Sequence, residues 1–396
     1  MNRPIRTLLF STLYPSSVRP SHGIFVETRL RELLRSGGVE TRVVAPVPWF
    51  PFDSPRFGDY ASFARTPSAE TWRGVEVQHP RYLLLPKVGM SSAPASIAFA
   101  AFPVLRDTIR RGFDFDVIDA HYFYPDGVAA VLLGRVLGKP VTITARGTDL
   151  NLIPQHALPR QMIKWAARHS AHMITVCQAL KDVLLELGTP DDRVTVLRNG
   201  VDLALFRPED RPAARARYRL TGFSLASVGH LIDRKGHDLV ISALPQLPGV
   251  QLLIAGSGPN EHALRALAQA LGVADRVQFL GSLPQVELCG LYNAADALVL
   301  ASSREGWANV LLEAMACGTP VVASNVWGTP EVVATSDAGQ LMHQRSADGV
   351  VQAVGRLRAQ LPDRAGTRRY AEGFDWQSTT QGQLQIFRNV LPAQAL

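Results

Sequence analysis

The stretch Ser302-Ser303-Arg304-Glu305-Gly306-Trp307-Ala308-Asn309-Val310-Leu311-Leu312-Glu313-Ala314-Met315-Ala316-Cys317-Gly318-Thr319-Pro320 decides the fold. Before it, Ala297-Leu298-Val299-Leu300 is a short apolar run of the kind that forms a parallel strand buried on both faces. After it, Val321-Val322-Ala323 reads as the next such strand, and Gly318-Thr319-Pro320 stops the helix between them. Two carboxylates bracket the helix start, Glu305 in the turn and Glu313 farther along. Helix N-terminal amides suit an anion, and flanking carboxylates suit sugar hydroxyls. The same two groups could also act as an acid and a base. A surface helix with two solvated glutamates accounts for neither the Gly306 turn nor the apolar setting of Glu313.

The rhythm extends in both directions. Runs at 225–229, 250–255, 277–280, 297–301 and 320–324 read as a second series of strands. The first series begins with Ile5–Ser11, a helix over 24–36, Gly37-Gly38 and a strand over 40–46. It resumes, after a Pro-, Phe- and Trp-rich excursion over 46–95, with a helix over 95–111 and strands at 117–120, 140–144, 171–177 and 194–197. Strands alternating with helices imply a doubly wound α/β architecture. The polar, Arg- and Ala-rich segment 209–219 reads as an inter-domain linker, and Gln377–Val390 as a final helix.

With 396 residues, 46% of them hydrophobic and 19% charged, the chain suits two globular domains. Its longest apolar candidate, Ala93–Leu105, is too short to span a bilayer and contains Pro94 and Pro103. The N-terminus has no signal-peptide pattern. Cys177, Cys289 and Cys317 form no pair motif, so a reducing cytoplasm with neither disulfide nor zinc is the simple expectation. The basic surplus lies in the first half: 24 Lys and Arg face 18 Asp and Glu in residues 1–205, against 17 and 16 afterwards. That surface could meet an anionic membrane or a phosphate-bearing acceptor. For the basic helix 158–170, with Arg160, Lys164 and Arg168 on one face, a solvated face is the better reading. No aromatic-interleaved basic patch points to nucleic acid.

Arg234-Lys235-Gly236, after a strand, places two cations at the carboxyl edge of a parallel sheet, which suits a diphosphate. Gly256-Ser257-Gly258-Pro259 begins like a dinucleotide fingerprint but lacks the third glycine, so it reads as a strand-to-helix turn. Asp114-Phe115-Asp116 has an ion-binding form without further carboxylates nearby, and no metal is expected. Arg198-Asn199-Gly200-Val201-Asp202 reads as a turn at the domain boundary.

Together these segments resemble glycosyltransferase family 4, most closely from Arg198 to Val333. There Asn199-Gly200-Val201-Asp202, Val228-Gly229 with Lys235-Gly236, Gly256-Ser257-Gly258-Pro259, Glu305-Gly306 with Leu312-Glu313-Ala314-Met315-Ala316, and Gly328-Thr329-Pro330-Glu331-Val332-Val333 stand in the family's order. The opening Tyr14-Pro15-Ser16 and His22-Gly23-Ile24-Phe25-Val26-Glu27 look like bacterial members that build exopolysaccharide or cell-wall polymers.

The resemblance implies two facing Rossmann-like domains of GT-B type with a deep cleft between them. The expected divisions are 1–205 for the acceptor side, 206–373 for the nucleotide sugar, and a tail, 374–396, returning to the first domain. It implies a cytoplasmic enzyme, in peripheral contact with the membrane if the basic surface serves that purpose. It would move a hexose or N-acetylhexosamine, with retention and without metal, from a nucleotide diphosphate sugar to a glycan or lipid-linked acceptor of surface polysaccharide synthesis.

Carried over by position, Arg234, Lys235 and Glu305 are the catalytic candidates. The two cations would face the diphosphate, and Glu305 the transferred sugar. Gly23, His230, Gly281, Gly306, Asn309, Val310 and Glu313 are donor-binding candidates, with Glu313 on the ribose. His121, Asp126, Arg146 and Asp149 are the acceptor-side set. Two positions depart from the family: His230 often stands as Arg, and Arg146 as His. Arginine stays protonated and cannot act as a general base. Other readings of the fold are a nucleotide-sugar epimerase, a glycan phosphorylase, or an inactive subunit that binds sugar nucleotide or glycan. No pyridoxal-phosphate lysine marks a phosphorylase.

Overall fold

A computed structural model of the chain describes residues 3–84 and 89–391. It divides into two compact units, one of residues 1–197 with 377–396, the other Arg198–Trp376.

The strands of the first unit are β1 (Ile5–Phe10), β2 (Val39–Val44), β3 (Val47–Pro48), β4 (Ala69–Trp72), β5 (Val75–Gln78), β6 (Arg81–Tyr82), β7 (Val117–His121), β8 (Val141–Ala145), β9 (His172–Thr175) and β10 (Val194–Val196). Eight form one sheet in the order β10-β9-β8-β7-β1-β2-β5-β4, while β3 and β6 pair separately. All neighbours in the large sheet run parallel except β4, which pairs antiparallel with β5 as a hairpin at the edge. Every residue of β7 and β8 is buried, as expected of strands covered by helices on both faces. The β2–β5–β4 extension accounts for part of the weakly periodic excursion. The following helix, Gly89–Arg110, starts six residues before the expected 95 and runs through Pro94 and Pro103.

In the second unit β11 (Ser224–Val228), β12 (Gln251–Ala255), β13 (Val277–Phe279), β14 (Ala297–Leu300), β15 (Val321–Ser324) and β16 (Gly339–Met342) form an all-parallel sheet, ordered β13-β12-β11-β14-β15-β16. Strand order reverses at β11/β14, the switch point outside whose carboxyl ends ligands sit in such sheets. One core cluster joins the sheet to the helices around it, with Leu225, Leu252, Ile254, Val299, Val322, Val240, Ile241 and Val354 buried together.

Two segments differ from the sequence expectation or refine it. The division falls at Leu197/Arg198, and 209–219 is not a linker: Arg211–Arg217 is a helix of the second unit. Asp210 caps it by accepting from the Ala213 amide, Pro212 occupies its first turn, and Arg211 and Arg215 both pair with Asp296. The tail forms the helix Trp376–Val390, whose Leu384 and Phe387 pack with Ile5, Val39 and Val117 of the first unit's sheet and with Leu33 of its helix Ile24–Arg35. The last five residues of the expected 374–396 segment lie outside the described residues. Among the described residues no helix is long and apolar enough to cross a membrane.

Candidate active site

A cluster of charged side chains in the second unit lies beyond the carboxyl ends of β11 and β14. After β11 the chain passes Gly229 and His230 into a short 3-10 turn, Asp233–Lys235, closed by Gly236. Gly236 has φ 70°, and a Cβ there would stand 2.1 Å from the Ala301 carbonyl oxygen just beyond β14. Only glycine lets the turn lie so close to the neighbouring strand. The contact continues in the Ser303 amide, which donates to the Arg234 carbonyl at 2.8 Å.

This close approach brings side chains together. Lys235 Nζ lies 2.6 Å from Glu305 Oε1, and Arg234 Nη1 is 3.5 Å from the same oxygen while donating to the Arg304 carbonyl at 3.0 Å. Glu305 is 8% exposed. Burial pushes its carboxyl up, but Lys235 and then Arg234 outweigh that and hold it below the ordinary range.

The helix that follows spans Asn309–Ala316, and its first-turn amides, Asn309 and Val310 among them, have no intrahelical acceptor. Its entry is tethered by residues that the sequence marked only as a turn. Trp307 is buried and donates Nε1–H to the Asn199 carbonyl at 3.0 Å, and Asn199 Nδ2 donates to Asn309 Oδ1 at 3.2 Å. Arg198 beside them pairs with Glu331 at 2.6 Å. The Asn199-Gly200 turn is therefore an anchor for the helix N-terminus. Its position near a boundary hid that role.

Glu313 lies one turn into the helix, partly buried, and accepts from the Tyr292 hydroxyl at 2.9 Å. Burial raises its carboxyl to about 7 even though the Tyr292 hydrogen bond works the other way. Gly306 is buried in the turn beside Glu305, His230 is exposed after β11, and Gly281, with φ 69° and open space where a Cβ would stand, follows β13. The structure thus gathers Arg234, Lys235 and Glu305 in direct contact.

In the first unit Gly23 starts the helix Ile24–Arg35 with φ 66°, and a Cβ would stand 2.3 Å from the Leu13 carbonyl. The four acceptor-side candidates are buried. His121 Nε2 donates to Asp119 at 3.0 Å, while its Nδ1 accepts from Arg146 Nη2. Burial lowers the His121 imidazole to about 4, so the ring is neutral at pH 7, in the tautomer that these partners require. Arg146 reaches 9% exposure, with its guanidinium 5.6 Å from the Phe25 ring centre.

Asp149 is fully buried, and its oxygens accept from the amides of Phe123, Arg146 and Gly147. Asp126, also fully buried, accepts from the Thr12 amide and hydroxyl at 2.8 and 2.9 Å. Asp149 accepts from three backbone amides and one oxygen of Asp126, Oδ2, from the Thr12 amide and hydroxyl, so both aspartates brace loops inside the unit. The Asp114-Phe115-Asp116 carboxylates are spent on ion pairs, Asp116 with Arg3 and Asp114 with Lys139. Among the described residues no three His, Cys, Asp or Glu side chains cluster closely enough to hold a metal ion.

A buried carboxylate held by two cations, beside free helix amides at the switch point of a parallel sheet, can grip a phosphorylated polyol. Comparison with known proteins gives the family. Residues 211–373 match the family described as glycosyl transferases group 1, and residues 26–205 match glycosyltransferase family 4. A D-inositol 3-phosphate glycosyltransferase of Segniliparus rotundus is 37% identical over 330 residues, 76% of this chain and 73% of that one. In fold, sucrose-phosphate synthase from Thermosynechococcus elongatus superposes with a TM-score of 0.77 at 20% identity, covering 98% of this chain and 99% of the other. Anabaena Alr3699/HepE, solved with UDP and glucose, gives 0.73 at 18% identity over 98% and 100%. Two Rossmann-like units, the ordered motifs and this relatedness lead to one conclusion: the chain belongs to the family 4 glycosyltransferases.

Proposed function

We propose that this glycosyltransferase moves a hexose or N-acetylhexosamine from a nucleotide diphosphate sugar with retention and without a metal ion. The observation that carries the reading is the Lys235–Glu305–Arg234 cluster at the amide end of the helix Asn309–Ala316. Departure of a nucleoside diphosphate builds negative charge. Two cations and a row of amides fixed before the reaction stabilise that charge without reorganising. Lys235 and Arg234 would turn to the diphosphate, and Glu305 would accept from hydroxyls of the transferred sugar. Glu313 would accept from the ribose, with Gly281 leaving room for the base. His230 and Gly23 would add donor contacts. The acceptor hydroxyl would attack on the face the leaving group occupies, and a diphosphate oxygen would take its proton.

A nucleoside diphosphate donor is further supported by the UDP and glucose found with Alr3699/HepE, a protein of the same fold. For the acceptor we retain a glycan or lipid-linked molecule. Of the four residues first assigned to that side, Arg146 has the most exposed surface, so we assign it the acceptor contact. Arg160 and Arg168, exposed on the helix Ala157–His169, would make any contact with an anionic membrane. The cytoplasm suits the free thiols of Cys289 and Cys317, whose sulfurs stand 3.8 Å apart.

The test is release of nucleoside diphosphate from a panel of nucleotide sugars, with and without excess chelator. Unchanged release in chelator supports the metal-free reading; loss restored by Mg²⁺ would overturn it.

A further inference from the structure

We propose that Arg345 is a positioning residue of the candidate site: its guanidinium fixes the turn that carries Lys235 against the loop that carries Glu305. Its effect on transfer rests on the donor reading above; the clamp itself does not.

Arg345 comes from the edge of the second sheet. It lies three residues beyond β16, which is two strands from β14 and three from β11 in the sheet order. The backbone around it is held on both sides. Ser346 caps the helix Ala347–Ala359 by accepting from the Gly349 amide at 3.0 Å, and a Cβ on Gly349 would stand 1.9 Å from the Gln344 carbonyl oxygen. A long side chain on such a fixed base can work as a brace.

The brace has two ends. Arg345 Nε donates to the Ala301 carbonyl at 2.8 Å, and Nη2 donates to the Asp233 carbonyl at 3.2 Å. Ala301 stands just beyond β14, four residues before Glu305, and Asp233 opens the short turn that ends in Lys235. Nε and a terminal nitrogen of the planar guanidinium suit two acceptors that stand side by side. Here the two acceptors belong to segments that follow different strands, so both bonds persist only while turn and loop stay in contact.

Each carbonyl belongs to the joint that forms the cluster. The Ala301 oxygen is the atom against which Gly236 closes, and the Asp233 carbonyl also accepts from the Gly236 amide at 3.2 Å. Ala301 is fully buried, which makes the bond to its carbonyl costly to lose.

The brace matters most when the donor is bound. In the free chain the Lys235–Glu305 ion pair also ties turn to loop. In the proposed function the diphosphate takes Lys235 from Glu305, and that tie goes. The Arg345 bonds end on backbone carbonyls and need not change. They would keep Lys235 and Arg234 in place while charge builds on the leaving group. Lysine, a single point charge, is a poor substitute for the fork.

The test is an NMR titration of the Glu305 carboxyl in the full chain, its signal identified by its loss in Glu305→Gln. In wild type Lys235 and Arg234 hold that carboxyl below the ordinary range. Arg345→Met keeps an apolar stem and removes the fork, so Lys235 should withdraw. The expected result is a Glu305 that titrates at higher pH in Arg345→Met than in wild type, with Arg345→Lys between them. Release of nucleoside diphosphate should also be about tenfold or more slower in Arg345→Met, since a misplacement of about 1 Å can cost about a hundredfold. A general loss of stability would not move one carboxyl. Glu305 titrating as in wild type would therefore overturn the role, and so would release at the wild-type rate. If wild type releases no nucleoside diphosphate from any nucleotide sugar, the donor reading fails, and the Glu305 titration alone decides Arg345.

Discussion

Lys235 and Glu305 are joined by a 2.6 Å ion pair although seventy residues separate them in the chain. The pair exists because Gly236 lies close against the Ala301 carbonyl just beyond β14, and in the proposed function the donor diphosphate would replace Glu305 as the partner of Lys235. Lys235→Ala removes one of the two charges proposed to face the leaving diphosphate. Turnover should fall on the order of a hundredfold, as for loss of one preorganised donor in other active sites. Near-wild-type turnover in a steady-state assay would sink the diphosphate assignment. The variant should also lose acid-dependent stability. Glu305 has a depressed carboxyl, so its pairing stabilises the fold above the unfolded value near 4.5 and is lost as pH falls through the folded value. Urea midpoints of wild type and variant should converge in acid.

Glu313 has the opposite sign. Burial raises it to about 7, so the folded chain binds a proton there more tightly than the unfolded chain does. That contribution is full below about 4.5 and is lost as pH rises through about 7. Glu313→Gln should flatten this part of the stability curve. Affinity for the nucleotide sugar that the donor panel identifies, whose diphosphate does not itself titrate in this range, should rise in wild type as pH increases from 6 to 8, because in the proposed role the carboxylate accepts ribose hydroxyls better than the acid does. An identical pH slope in Glu313→Gln, measured by calorimetry, would remove Glu313 from the donor site.

Much of this site could be read from the chain, and the unread part has physical causes. The runs 297–300 and 321–323 are apolar and short, and both are buried parallel strands, β14 and β15. Arg234, Lys235 and Glu305 were recognisable separately, since each sits where a strand ends. Their contact was not, because it depends on β11 lying beside β14, a sheet order that no local pattern encodes. Segment 209–219 looked like a linker because it is polar. Ala and Arg are good helix formers, however, and Asp210-Arg211-Pro212 is a cap followed by a first-turn proline, the signal that should have weighed more. Asn199 was read as a turn because hydrogen bonds across 108 and 110 residues leave no periodicity behind.

Gly236→Ala should damage the cluster without touching any charged group. The residue has φ 70°, where an L side chain is strained, and its Cβ would collide with the Ala301 carbonyl. The turn must then move away from β14, drawing Lys235 from Glu305. The expected outcome is a loss of well over 1 kcal/mol in urea denaturation together with weaker binding of the nucleotide sugar that the donor panel identifies. Unchanged affinity in a variant of lowered stability would show that the cluster tolerates displacement, contrary to its proposed role.

Gln383→Leu tests how the final helix is fixed to the first unit. Gln383 is fully buried and bridges two charges: its carbonyl accepts from Arg29 Nε at 2.6 Å, and its amide donates to Asp119 Oδ2 at 2.9 Å. Asp119 also accepts from His121, whose other nitrogen meets Arg146, so the glutamine ends a chain of buried polar contacts that leads to the proposed acceptor contact. Leucine nearly matches the volume and keeps the apolar packing of Leu384 and Phe387 nearby. What it removes is the bridge, leaving Arg29 Nε and one Asp119 bond unsatisfied in the interior. Each buried group left without its partner costs about 1–3 kcal/mol, more when charged. The variant should therefore be destabilised by several kcal/mol, while Gln383→Glu, which can still accept from Arg29 but places a second carboxylate against Asp119, should fare no better. A Gln383→Leu chain as stable as wild type in urea would mean that Arg29 and Asp119 find each other directly, and that the helix is held by its apolar face alone.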